Sequence, residues 1–169
     1  MRSPELQRVC CELERATCDF SEEDWLWAPA EKWSCALIVE HLLLSYLSTT
    51  LGLLRAIHSG KPSATEVTLR NRIAAFVVTG IGYFPVGRPA PKQAVPKGSL
   101  PPGSLQKVVN AVTVMDTRLL DAERRFGSNA KVLDHPILGP LTAKQWRRFH
   151  YVHTMHHLKQ IKQRGRGRA

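Results

Sequence analysis

From Ala36 to Leu54 this chain of 169 residues is apolar almost all round. A helix without a polar face has to sit at the centre of a fold, because no side of it tolerates water. The run is also long enough to raise the question of a membrane span. Glu40 and His41 fall inside it, followed by Ser45, Ser48, Thr49 and Thr50. Polar groups at that density argue for a buried helix carrying a functional pair, so no membrane partner is expected. Ser34 supplies an N-cap, and Ser59-Gly60-Lys61-Pro62 supplies a stop, giving a helix from about Ser34 to His58.

Four other helical segments surround this one. Leu6, Val9, Cys10, Leu13 and Ala16 mark a helix from about Pro4 to Thr17. A loop at Ser21–Trp25 follows. A weaker helix is expected over about Ala64–Val78, ended by Gly80 and Gly82. The stretch from Gly82 to Gly103 holds six prolines and reads as a long irregular connection. Leu105, Val108, Val109, Val112, Met115, Leu119 and Leu120 then form the apolar face of a helix from about Ser104 to Phe126. A turn region over Asp134–Leu141 leads to Thr142, the N-cap of the last helix. Phe76-Val77-Val78 is locally rich in strand-forming residues, but no strand pattern is sustained, and an all-α domain is expected.

The charge is lopsided. The net formal charge is +10, yet His135–Ala169 contains eight Lys/Arg and no acid, which leaves 16 basic residues against 14 acids in the rest. The body is therefore close to neutral. The domain is expected to occupy residues 1–162, with 163–169 a disordered basic tail. Arg164-Gly165-Arg166-Gly167-Arg168 has no aromatic residue interleaved with its arginines, so a stacking platform for nucleic acid is missing. Cys10, Cys11, Cys18 and Cys35 show no C-x-x-C spacing and follow no secretory signal. Reduced thiols and a cytoplasmic location are the expectation.

The chemistry is concentrated in the last helix. Four of the seven histidines lie between positions 150 and 157. His153 and His157, four residues apart, share one face and can grip one metal ion from a single element. His150 shares that face one turn earlier, and His156 lies to the side. A third ligand must come from another helix. His41 leads because it stands inside the most apolar one. His58 is about 25 Å further along that helix, and His135, in the turn, reads as structural. Gln160 is placed to orient a ligand. His150 or Glu40 is the candidate proton shuttle, although Glu40 points about 100° away from His41. Arg88 and Lys92 in the long connection offer charge to an anionic substrate.

The segment Trp33-Ser34-Cys35-Ala36-Leu37-Ile38-Val39-Glu40-His41-Leu42 resembles the first histidine motif of the DinB-like (damage-inducible) metalloprotein superfamily. His153-Thr154-Met155-His156-His157-Leu158-Lys159-Gln160 resembles its closing H-x-x-H-H-x-x-Q motif, and His135 to Trp146 resembles the lead-in of one uncharacterised branch. The resemblance spans about two-thirds of the chain. It implies a four-helix bundle with one long crossover and an additional short helix, often a homodimer. It implies a divalent metal, commonly zinc or nickel, held by His41, His153 and His157. It further implies a thiol-transferase or hydrolase acting on a small-molecule substrate with a low-molecular-weight thiol. The alternative is a non-catalytic dimeric helical scaffold, with or without metal.

Overall fold

The computed structural model describes residues 3–85, 87 and 89–166. Among them are α1 (Pro4–Thr17), α2 (Glu22–Leu26), α3 (Cys35–Ser59), α4 (Leu69–Ala75), α5 (Leu105–Phe126) and α6 (Ala143–Arg166). A π-helical segment (Phe76–Ile81) extends α4, and a single 3-10 turn (Lys92–Ala94) breaks the long connection. The protein is mainly helical, as expected. The four long helices pack in a closed cycle: α3 on α5 and α6, and α1 on those same two.

α3 is the central element. Ser34 Oγ accepts the Leu37 N–H as its N-cap, and Gly60 closes it in the left-handed region at φ 74°. Ile38, Leu42, Tyr46 and Leu53 are buried along it. They meet Leu6, Val9 and Leu13 of α1 and Val112, Met115 and Leu119 of α5 in one continuous core. By length and composition alone α3 is long and apolar enough to cross a membrane, and half of that apolar window is buried inside the protein. Leu53 has no exposed surface. Leu53→Ala is expected to cost about 2–5 kcal/mol of stability, read as a lower urea midpoint with an unchanged m-value.

Three local expectations need correction. First, Ser21–Trp25 is not a plain loop. Ser21 Oγ accepts the Asp24 N–H while the Asp24 carboxylate accepts the Ser21 N–H, a capping box that starts the short helix α2.

Second, the chain does contain strands. β1 (Lys131–His135) and β2 (Gly139–Thr142) form an antiparallel hairpin. The pair is too short to show alternation, and its turn is built by side-chain chemistry: His135 Nδ1 accepts the N–H groups of Ile137 and Leu138, and Gly139 adopts φ 72°. Pro140 is tolerated because β2 is an edge strand.

Third, the helix expected from Ala64 begins only at Leu69, capped by Thr68 and Asn71. The residues before it are committed to β1: Ser63 bridges Leu133, and the Thr65 N–H is held by the Asp134 carboxylate. Phe76–Val78, locally strand-like by composition, lies in the π-helical segment.

Two adjacent residues of α3 fasten the long connection. The Glu40 carboxylate accepts the N–H groups of Gly98 (2.8 Å) and Ser99 (3.3 Å), and His41 Nδ1 lies 2.6 Å from the carbonyl oxygen of Ala94. At the other end, α6 continues as helix through Arg166, past the expected start of a tail at 163. Arg164 Nε donates to the Trp33 carbonyl, and Phe20 closes on Gly165 so tightly that a Cβ there would meet its ring at 2.7 Å. Residues 167–169 of the arginine-glycine segment lie outside the described residues.

Candidate metal centre

Three of the expected histidines come together. His41 from α3 and His153 and His157 from α6 are all buried, and one nitrogen of each lies within 4.8 Å of the others. His153 Nε2 is 3.1 Å from His41 Nε2 and 3.1 Å from His157 Nε2. Ligand nitrogens about 2.05 Å from a tetrahedral zinc are about 3.3 Å apart, close to the two separations made by His153, and His41 and His157 are within 4.8 Å of each other.

The tautomers follow from the other ring nitrogens. His41 Nδ1 faces the Ala94 carbonyl, and His157 Nδ1 faces Gln160 Oε1 at 2.8 Å. Both partners are acceptors, so each Nδ1 carries the proton and donates it. The Nε2 lone pairs of both rings are therefore free and directed at the shared point. His153 Nδ1 is buried without a hydrogen-bond partner among the described residues. Its ring is held by packing instead, stacked on Phe149 at 5.3 Å and beside Phe84 at 5.2 Å. Trp33 covers His41 at 5.1 Å.

Burial keeps these rings uncharged. It is the largest influence on all three and holds each below the ordinary histidine range, with mutual repulsion adding to it at His153 and His157; His157 falls to about 3. At His41 the Ala94 hydrogen bond opposes the effect of burial. Three neutral imidazoles, two of them with Nε2 lone pairs fixed toward His153, are close to the form that binds a divalent cation. The residues present therefore fit a metal ion held by three histidines, with the remaining positions open to the adjoining cavity.

The other candidates divide. Gln160 joins the site by holding His157. His150 does not: its Nε2 pairs with Thr49 Oγ1 at 3.0 Å, its ring packs between Tyr46 and Trp146, and its Nδ1 is buried without a partner among the described residues. Glu40 is not brought to the three histidines either, its carboxylate being taken up by Gly98 and Ser99. His135 shapes the hairpin turn. Lys92 is exposed at the start of the 3-10 turn, and Arg88 lies outside the described residues.

Several contributors escaped the sequence reading. The Ala94 carbonyl is one, since a backbone acceptor leaves no side-chain signal. Phe84 and Phe149 are others; only Phe149's position one turn before His153 hinted at contact. His156, to the side of the metal-binding face by its spacing, lines the same cavity with its ring 5.2 Å from that of His157.

That cavity, about 640 Å³, opens beside the three histidines between α3, α6, the hairpin and the long connection. Its size is that of a site for a small organic molecule. Replacing Gln160 with Leu removes the acceptor for His157 Nδ1. The expected result is about a 10- to 100-fold weaker affinity for zinc with little change in fold, measured by competition with a chromophoric chelator.

A family model described as "Protein of unknown function (DUF1569)" matches residues 6–164. No curated protein and no solved structure matches the chain significantly.

Proposed function

The chain belongs to the DUF1569 family of proteins of unknown function, and from that premise we propose that it is a DinB-like metalloprotein whose His41, His153 and His157 hold one divalent ion, zinc or nickel. The observation that carries this reading is the pair of locked tautomers: a main-chain carbonyl and Gln160 fix two rings so that their lone pairs meet the third. The order of the long helices and the crossover that returns to His41 support a four-helix bundle of the DinB-like kind. A divalent ion held by these three histidines would supply Lewis acidity, lowering the pKa of a water or thiol toward neutral pH.

The reaction we favour is a thiol transfer or hydrolysis on a small organic substrate, with a low-molecular-weight thiol as co-substrate. The chain's own groups do the rest. Trp33, Phe84 and Phe149 exclude water from the histidines, and the cavity orients the substrate beside them. Half-buried His156 lies at the cavity wall with its pKa lowered, chiefly by burial, so it is neutral at pH 7 and able to accept a proton there. It suits this task better than Glu40 or His150, whose polar atoms are turned elsewhere.

One observation favours the second reading, a non-catalytic dimeric scaffold: among the described residues the one carboxylate lining the cavity, Asp134, is taken up by the Thr65 N–H. Elemental analysis of protein purified without chelators separates the possibilities. About one zinc or nickel per chain, with turnover of a model electrophile by bacillithiol-, mycothiol- or glutathione-type thiols, supports the enzyme. Metal without turnover, in hydrolysis assays as well, supports the scaffold. Absence of metal, even after incubation with zinc and nickel, overturns both the site and the mechanism.

A further inference from the structure

The face of α3 that meets the cavity differs chemically from the rest of that helix. His41, Ser45, Ser48, Gly52 and Arg55 follow one another at steps of four, three, four and three residues, and all five line the cavity that holds the three histidines. At 100° per residue they stay within an arc of about 80°, a continuous stripe of polar and small residues, with Thr49 beside it also lining the cavity. The rise of 1.5 Å per residue sets the Cα of Arg55 about 21 Å from that of His41. The lining thus extends along about 21 Å of α3, with His41 at one end and the exposed side chain of Arg55 at the other.

The walls between are apolar and aromatic: Trp33, Val78, Phe84, Leu138, Trp146 and Phe149. Histidines aside, the charged side chains lining the cavity among the described residues are Arg55 and Asp134. Asp134 is occupied, both its oxygens accepting the Thr65 N–H at 3.1 and 3.2 Å. Arg55 makes no ion pair with any described acid. Its planar fork of donors suits a carboxylate or phosphate.

We infer that the cavity takes a single long, mostly apolar organic molecule with an anionic group at one end, and that Arg55 receives the anion while the opposite end lies at the three histidines. This makes Arg55 a specificity-determining residue. The inference rests on the metal reading only for what holds the far end of the ligand.

Four probes test it. 11-Mercaptoundecanoic acid spans roughly 15 Å and offers a soft donor at one end and a carboxylate at the other. 11-Mercapto-1-undecanol matches it without the charge, and 3-mercaptopropionic acid is too short to bridge both ends. A fourth, 11-mercaptoundecylphosphonic acid, separates a phosphate-like preference from a carboxylate one. Binding is followed by quenching of tryptophan fluorescence, since Trp33 and Trp146 line the cavity, and metal content is measured on the same samples.

Wild type is expected to bind the long acid, or its phosphonate counterpart, about five- to tenfold more tightly than the alcohol. Arg55→Gln should lose that preference, Arg55→Glu should reverse it, and binding of the short acid should not respond to residue 55. Metal content should be the same in all three proteins. Equal affinity of wild type for the charged and uncharged long probes, or a preference that survives Arg55→Gln, overturns the inference. If the samples bind no metal, the metal reading falls, while the comparison of acid with alcohol still decides the role of Arg55.

Discussion

Alanine at His41, His153 or His157 is expected to reduce bound metal from about one ion per chain to less than about a tenth, while His150→Ala and His156→Ala retain it. The asymmetry within the histidine cluster is what makes the series informative. All four histidines of α6 lie within eight positions, so a loosely attracted cation would respond to any of them. The structure assigns the converging nitrogens to only two of the four, with the third supplied by α3. Losing one of three protein ligands should cost more than the roughly 10- to 100-fold that an orienting partner is worth. A second readout comes from stability. A cation that binds only the folded chain raises its thermal midpoint, so chelation should lower that of wild type and leave the three variants unmoved. A full complement of metal in His41→Ala would show that α6 binds alone and would remove α3 from the site.

A pronounced loss of stability in mild acid is the second large effect expected, in the metal-free protein. Burial holds His150 at about 3, with His135 adding to the effect, and burial holds His135 at about 4. In the unfolded chain both return to about 6.5. Below that value the unfolded state takes up protons that the native state refuses. Stability is therefore fully present above pH 6.5 and is lost as pH falls toward the native values. Each histidine contributes a slope of about 1.4 kcal/mol per pH unit, so the pair removes roughly 3 kcal/mol between pH 5.5 and 4.5. That is a large fraction of the 5–15 kcal/mol typical of a domain. Urea midpoints at pH 7.5, 6.5, 5.5 and 4.5 measure it. His150→Leu removes one titrating group and should show a shallower decline, whatever its stability at pH 7.5. A flat profile in wild type down to pH 4.5, or an unaltered slope in the variant, would contradict the assignment of buried His150 and half-buried His135 as neutral rings.

The helical skeleton was readable because it depends on local periodicity. The bounds of α1 and α5 follow directly from apolar spacing, and Ser34 caps α3 where its side-chain chemistry says it should. The errors lie where short-range signals compete with contacts from afar. Residues 64–68 carry no mark of their engagement with β1, which is formed by Ser63, Thr65, Leu133 and Asp134 across some seventy positions. The hairpin itself depends on the His135 ring accepting two backbone N–H groups, a turn device that composition does not display.

The opening apolar run of α3 and the His153/His157 step were settled by sequence alone, since a helix with no wet face must be central and a four-residue step must share a face. What tertiary structure decided was the meaning of the polar residues inside that run. Glu40 and His41 are neighbours, yet 100° of helical rotation sends one to the backbone of Gly98 and Ser99 and the other to His153, 112 residues away. His150 shares a helix face with the pair but meets Thr49 instead of the converging nitrogens. Spacing along one helix determines direction from its axis. Which partner waits in that direction is set by how α3, α6 and the crossover pack.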